Sequence, residues 1–189
     1  MNYLTFLASV VFTITMAEGI YIFLKSPKSS VNQLFLFMTV SLGIWLFGAA
    51  AAYSAETKVE VILLFRISSL GFIFLHTFTL HFTLKITTRE RREKLPYLVF
   101  IIYLPSLYFL YLSWSGLIVY RDFIKTAGMW IGIPDFGSLS LLLLMINYLS
   151  YYAVSVVLLL LWRKRTNSKR EKKQALVLIV SMAASILLF

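Results

Sequence analysis

One predicted membrane helix carries ionisable side chains that could bind a ligand or a proton. The stretch 60–85 contains Arg66, His76 and His81 in a run that is otherwise rich in Phe, Leu and Ile. A charged side chain near the bilayer centre costs about 2.5–3.5 kcal/mol on insertion scales, so such groups usually face a bundle interior, a partner or a water-filled cavity. This helix is therefore the first place to look for a functional site.

Arg66 and His76 each have a functional and a structural interpretation. The Arg66 guanidinium could anchor a carboxylate or phosphate of a ligand, or it could extend to lipid headgroups. His76 could act as a proton-sensitive switch, or it could form a neutral hydrogen bond between helices. The sequence leaves both interpretations open for each residue.

Depth along the predicted helices suggests two polar pairs. Asn147 lies eight residues into the predicted span 139–162, and Arg66 lies six residues into its own span, so both could line one cavity. Glu18 lies six residues before the end of the first predicted span, and His81 lies four residues before the end of the third. Glu18 and His81 could therefore form a buried pair, either as a structural clamp or as a proton relay.

The segment 115–138 is the longest one between predicted spans. It contains two short runs of strand-like composition, 117–120 and 128–131, separated by 121–127 and followed by a turn-prone stretch at 134–137. We predict a small hairpin lid over the helix ends, with Trp130 as a candidate ligand contact. The alternative is an interfacial loop whose Trp130 and Tyr120 anchor at the lipid headgroups.

Apolar runs define the elements that would position these residues. A helix needs about 20 residues to cross about 30 Å of hydrocarbon, and such runs occupy 3–24, 31–53, 60–85, 95–114, 139–162 and 174–189. The composition agrees, with 60% hydrophobic and 14% charged residues and a mean hydropathy of +0.83. We predict an all-α polytopic membrane helix bundle with six spans. The last run is short, so we expect the sixth span to be truncated and a seventh to be missing.

The basic residues predict the orientation of this bundle. Of the 18 Lys and Arg, 14 follow the first, third and fifth spans: Lys25, Lys28, Lys85, Arg89, Arg91, Arg92, Lys94, Arg163, Lys164, Arg165, Lys169, Arg170, Lys172 and Lys173. The positive-inside rule places these loops in the cytoplasm and the N-terminus outside a cell membrane. Orientation and contact with anionic lipid explain the net charge of +10. The lipid bilayer is thus the expected partner, and nucleic acid is not.

The sequence contains no recognisable catalytic or metal-binding pattern. Cysteine is absent, as are the His-Glu-x-x-His, Gly-x-Ser-x-Gly and glycine-rich phosphate-loop motifs. His76 and His81 would point about 140° apart on a helix, which is poor geometry for a shared metal. We therefore expect no metal, no cofactor and no enzymatic activity in this chain.

Several features follow one another along the chain in a definite order. They are Asn32 opening the second span and Trp45 in its middle, Arg66 followed by Gly71 and an aromatic-rich run to Lys85, Trp130 before the stretch 134–137, the stretch 148–152 in the fifth span, and a basic loop ending at 172–175. In this order they resemble the amino-terminal seven-helix sensor region of bacterial and archaeal membrane histidine kinases.

The resemblance implies a sensory input region of a two-component receptor. Such a region would detect an extracellular or membrane-borne signal, whether a small molecule, a peptide or a lipid, and would pass it through a seventh helix to a cytoplasmic output domain. The parent protein would be a histidine kinase or, alternatively, a diguanylate cyclase, and a homodimer. A small transporter or channel-like protein is the alternative from another class, and it would predict inverted repeats with interrupted helices.

Overall fold

The structure is a computed structural model that describes residues 3–88, 95–116, 120–126 and 129–187. Four of the basic residues used above to predict orientation, Arg89, Arg91, Arg92 and Lys94, lie outside the described residues. The same holds for 117–119 and 127–128, which belong to the two predicted strand-like runs and the segment between them, and for the last two residues of the sixth predicted span.

Six helices make up most of the described chain. They are α1 (Tyr3–Lys25), α2 (Ser30–Tyr53), α3 (Lys58–Thr87), α4 (Leu95–Ser115), α5 (Leu139–Arg165) and α6 (Lys169–Leu187). Five of them, α1 to α5, are long and apolar enough to cross a membrane. The prediction of an all-α polytopic bundle is thereby confirmed.

Helix α6 begins within the basic segment, five residues before the run used to predict it. Ser168 Oγ accepts a hydrogen bond from the Glu171 backbone N–H at 3.4 Å, and Glu171 Oε2 accepts one from Thr166 Oγ1 at 2.5 Å. A serine in this position satisfies a free N–H of the first helical turn. Hydropathy alone misses this start because Lys and Arg form helices well although they are polar.

Helix α3 lies at the centre of the bundle. It packs against α2, α4 and α5, while α1 packs against α2 and α6 against α5. Its first turn is fixed by a capping box, in which Thr57 Oγ1 accepts from the Glu60 N–H at 3.3 Å and Glu60 Oε2 accepts from the Thr57 N–H at 3.3 Å. The helix that carries Arg66 is therefore both well capped and surrounded by neighbours.

Glycines bring α2 and α3 close together. A Cβ placed on Gly48 would lie 2.8 Å from the Cα of Ser68, and one placed on Gly71 would collide with the Ser41 carbonyl oxygen and the Trp45 backbone nitrogen. Ser68 Oγ donates to the Trp45 carbonyl oxygen at 2.9 Å across the same contact. Small residues permit such close approach between membrane helices.

Hydroxyl groups connect α4 to α3 and to α5. Thr77 Oγ1 and Ser106 Oγ form a hydrogen bond in which both side chains are fully buried. The Tyr151 hydroxyl donates to the Ile102 carbonyl oxygen at 2.7 Å. Polar side chains thus join the helices at depths where apolar packing alone has no hydrophobic driving force.

The segment between α4 and α5 contains an antiparallel hairpin of β1 (Tyr120–Thr126) and β2 (Met129–Pro134). Strand β1 covers residues that the sequence analysis assigned to the connection between two strand-like runs, so that assignment was wrong. Asp122 and Lys125 lie on this strand with exposed side chains, so their charges need no burial. The end of the bundle that carries β1 and β2 is called the hairpin end below.

Candidate ligand cavity

A cavity of about 880 Å³ lies between α2, α3, α4 and α5 and reaches the hairpin. Its size falls within the range of about 300–1,000 Å³ that small-molecule sites occupy. Much of its wall is aromatic or aliphatic, including the side chains of Trp45, Phe65, Phe72, Ile73 and Leu144. The helices therefore enclose a space in which a largely apolar ligand would fit.

Arg66 lies on the wall of this cavity. Its guanidinium Nη2 lies 3.5 Å from the position that a Cβ would take on Gly116, the residue just beyond α4. Gly116 has a φ of +80°, a conformation that glycine adopts without strain. In the described part of the chain the one ion pair joins Lys58 and Asp122, so Arg66 has no carboxylate partner there.

Serine hydroxyls near Arg66 donate their protons within the protein. Ser69 Oγ donates to the Arg66 carbonyl oxygen at 2.7 Å, and Ser113 Oγ donates to Ser69 Oγ at 2.8 Å. Ser68, which also lines the cavity, donates to the Trp45 carbonyl oxygen. The guanidinium is therefore the strongest hydrogen-bond donor that this part of the wall offers to a ligand.

The hairpin closes the cavity near the start of α3. The Phe65 ring lies 5.1 Å from the Tyr120 ring and 5.0 Å from the Phe123 ring, measured between centroids. Lys58 and Asp122 form an ion pair between α3 and β1, with each side chain about 50% exposed. The Lys58 hydrogen bond, together with the Phe123 N–H, lowers the pKa of the Asp122 carboxyl below its usual value. Burial raises the pKa of the Tyr120 phenol.

His76 lies next to the cavity wall but does not line the cavity. Its ring is 2% exposed and is surrounded by Phe72 at 4.7 Å, Tyr148 at 4.3 Å and Tyr152 at 5.6 Å between ring centroids. Neither ring nitrogen has a hydrogen-bond partner among the described residues. Within that part of the chain the interhelical hydrogen bond considered for His76 is therefore absent, and aromatic rings surround the imidazole.

Asn147 does not share the cavity with Arg66. It lines a separate groove of about 630 Å³ between α4 and α5, with Tyr108, Ile146 and Ser150 among its neighbours. The prediction of a shared site used depth alone, and Asn147 is rotated by about 100° from Tyr148, the buried residue that follows it on α5. Equal depth did not place the two side chains on facing surfaces.

Trp130 attaches the hairpin to the helices. Its indole N–H donates to the Ala55 carbonyl oxygen at 2.9 Å, between α2 and α3. The Lys125 ammonium lies 5.6 Å from the centroid of the Trp130 ring. Trp130 was a candidate ligand contact, but it is not among the cavity residues. Its observed contacts fix the hairpin in place.

The structure does not contain the predicted Glu18–His81 pair. His81 Nδ1 instead forms a hydrogen bond of 3.1 Å with the Tyr103 hydroxyl of α4, and the Glu18 side chain is exposed on α1. The arrangement of the helices separates the two residues. Helix α1, which carries Glu18, packs against α2, whereas His81 lies at the interface of α3 and α4.

Sequence reasoning missed several residues that shape the cavity. The Lys58–Asp122 ion pair joins positions 64 residues apart, and no pattern in the sequence connects them. Trp45 and Phe72, whose ring centroids are 5.5 Å apart, look like ordinary apolar residues of their helices. A model of helix rotation would have been needed to find them.

A comparison with protein families adds independent information about this arrangement. The model of the N-terminal 7TM region of histidine kinase matches residues 6–189. Neither the curated proteins nor the solved structures gave a match. The match runs through all six helices and the hairpin, and it confirms the resemblance drawn from the residues. On this evidence the chain belongs to the family of N-terminal seven-transmembrane regions of histidine kinases.

Proposed function

We propose that this membrane-embedded sensory region binds an extracellular or membrane-borne signal in the cavity beside Arg66. Binding of the signal is then relayed to a cytoplasmic output domain. The cavity is the observation that carries the proposal, because a signal can shift a receptor only by binding its states with different affinity. A histidine kinase is the proposed output, with a diguanylate cyclase as the alternative, and the parent protein is proposed to act as a homodimer.

The proposed orientation puts the hairpin and the N-terminus outside a cell membrane. The support is charge, since the ends of α1, α3 and α5 opposite the hairpin carry Lys25, Lys85 and the basic run 163–165. Because the chain has no cysteine, single cysteines can report this orientation. An impermeant maleimide should label Thr126→Cys in intact cells and Ser26→Cys only after permeabilisation. The reverse pattern would contradict the orientation.

The proposed relay runs through α3 and α5 to α6. Phe72 of the cavity wall stacks on Tyr148 at 6.1 Å between ring centroids. Tyr148 and Tyr152 belong to a buried cluster that includes Met182 of α6. Because packed interfaces tend to have discrete arrangements, a ligand that moves Phe72 would reposition α6 through these rings.

The test is to fill the cavity and measure the output of the full-length protein in membrane vesicles. Ala49 of α2 lines the cavity, so Ala49→Phe should occupy part of it and change the basal autophosphorylation rate. Ala153 is exposed on α5, so Ala153→Phe adds the same ring outside the bundle and should leave the rate unchanged. Equal rates for both variants and the parent, at equal membrane levels, would refute the proposal.

A further inference from the structure

We infer that the cavity recognises a single-chain amphiphile with one carboxylate or phosphate group, whose anionic end binds Arg66 and whose apolar body lies along the aromatic wall. This inference rests on the proposed function and specifies its ligand class. It is carried by the charge, the polarity and the volume of the cavity.

The charged residues of the cavity wall favour one anionic group. The described lining contains three charged side chains, Lys58, Arg66 and Asp122. Lys58 and Asp122 neutralise each other through their ion pair, which leaves the positive charge of Arg66. A guanidinium presents a planar fork of donors that matches a carboxylate or a phosphate in two-bond geometry. A cationic ligand would instead be repelled at this position.

The rest of the wall favours an apolar body. The protons of Ser68, Ser69 and Ser113 are already donated within the protein, which leaves the phenols of Tyr53 and Tyr120, both at the hairpin end, as the other hydroxyls of the described wall. Trp45 and Phe72 supply aromatic surface instead. Buried polar groups of a hydrophilic ligand would remain unpaired here, at a cost in affinity.

The volume and the lining of the cavity favour a single chain. Phe72 follows Arg66 by six residues on α3, so the two wall positions are about 9 Å apart along the helix axis. The rings of Phe65, Tyr120 and Phe123 pack together at the hairpin end. The volume of about 880 Å³ accommodates one chain with its head group more readily than the two chains of a phospholipid.

Quenching of tryptophan fluorescence by a brominated amphiphile can test the inference. The full-length protein is placed in nanodiscs of phosphatidylcholine, and ω-bromoundecanoate is the probe, because Trp45 lies on the cavity wall. Saturable quenching is expected, and Trp45→Phe should remove it. Dodecanoate and dodecyl phosphate should displace the probe, whereas dodecanol and dodecyltrimethylammonium should compete at least about 10-fold less well, as loss of a charged hydrogen bond predicts.

Variants of Arg66 test the anchor directly. Arg66→Gln should weaken probe binding by about 10- to 100-fold, and Arg66→Lys should recover part of the loss because it keeps the charge without the planar fork. Arg165→Gln is the matched control, since Arg165 is exposed in the last turn of α5 at the opposite end, and its affinity should be unchanged. If Arg66→Gln does not fold, the competitor series on the unaltered protein decides the question.

Three outcomes would overturn the inference. They are no saturable quenching, equal competition by dodecanol and dodecanoate, and displacement by phosphatidylglycerol in the nanodisc as strong as that by dodecanoate. The last result would identify a two-chain anionic lipid as the ligand. If one of these occurs while Ala49→Phe still changes autophosphorylation, the ligand class is wrong and the proposed function stands. If Ala49→Phe also has no effect, both fail.

Discussion

Replacing Gly71 with alanine should destabilise the contact between α2 and α3 by more than the gain in helix propensity can offset. A Cβ at this position would collide with the backbone of Ser41 and Trp45, and backbone atoms cannot move aside by a rotamer change. Overpacking of a tight contact costs about 1–3 kcal/mol, and a collision with backbone belongs at the upper end. Alanine recovers about 1 kcal/mol because it favours the helix more than glycine does. The net loss for Gly71→Ala is therefore about 2 kcal/mol.

Gly43→Ala provides the matched control for this experiment. A Cβ on Gly43 would meet Phe12 at 2.9 Å and Met16 Sδ at 3.2 Å, and both contacts are side-chain atoms that can rotate. Overpacking here should cost about 1 kcal/mol, which the same gain in helix propensity offsets. We expect the unfolding temperature of Gly43→Ala to be close to that of the parent protein.

Unfolding of both variants can be followed by far-UV circular dichroism in mixed micelles. A difference of about 2 kcal/mol corresponds to about 4–8 °C in unfolding temperature for a chain of this size. Equal unfolding temperatures for Gly71→Ala and Gly43→Ala would show that α2 and α3 are not as close as described, and the argument for glycine at this contact would fail.

Two further predictions concern polar links between elements. The pKa of Asp122 is lowered by its bonds to Lys58 and Phe123, so the link is complete above the usual aspartate pKa near 3.9 and is lost as the pH falls through the lowered value. Protection of the β1 amides, taken relative to their intrinsic exchange rate at each pH, should therefore fall in acid, and Asp122→Asn should show this lower protection at neutral pH as well; an acid response that persists in this variant would assign it to another group. Ser106→Ala should destabilise the bundle by about 0.6–1.7 kcal/mol because it removes the partner of Thr77, and adding Thr77→Val should recover most of that loss. Additive losses in this double-mutant cycle would mean that the two hydroxyls do not interact.

The helices could be predicted from the sequence because a bilayer imposes their length. The bounds of five predicted spans differ from those of the observed helices by at most three residues at either end. The start of α6 at Lys169 and the position of β1 were missed because the predictions followed apolar runs and strand-like composition, and both stretches contain charged residues. An exposed helical turn and an exposed strand both tolerate charge, so polarity alone does not end an element.

The candidate site could be predicted only in part because depth follows from sequence and rotation does not. Arg66 was assigned to the helix that is observed as α3, and the structure places it on the wall of a cavity. Asn147 and Glu18 were paired with partners at matching depth, yet helix order and rotation point both elsewhere. Trp45 could not be recognised as a wall residue because an apolar side chain looks the same whether it faces lipid, a neighbouring helix or a cavity.

The length of α3 has a consequence for the depth of Arg66 in the bilayer. Its 30 residues span about 45 Å, or about 42 Å along the membrane normal at an average tilt of about 20°. If α3 is centred on about 30 Å of hydrocarbon, about 6 Å projects at each end. Arg66, eight residues after Lys58, then lies only about 5 Å below the hydrocarbon boundary on the hairpin side. At that level an amphiphile aligned like the surrounding lipids would have its head group beside the guanidinium and its tail directed towards Phe72.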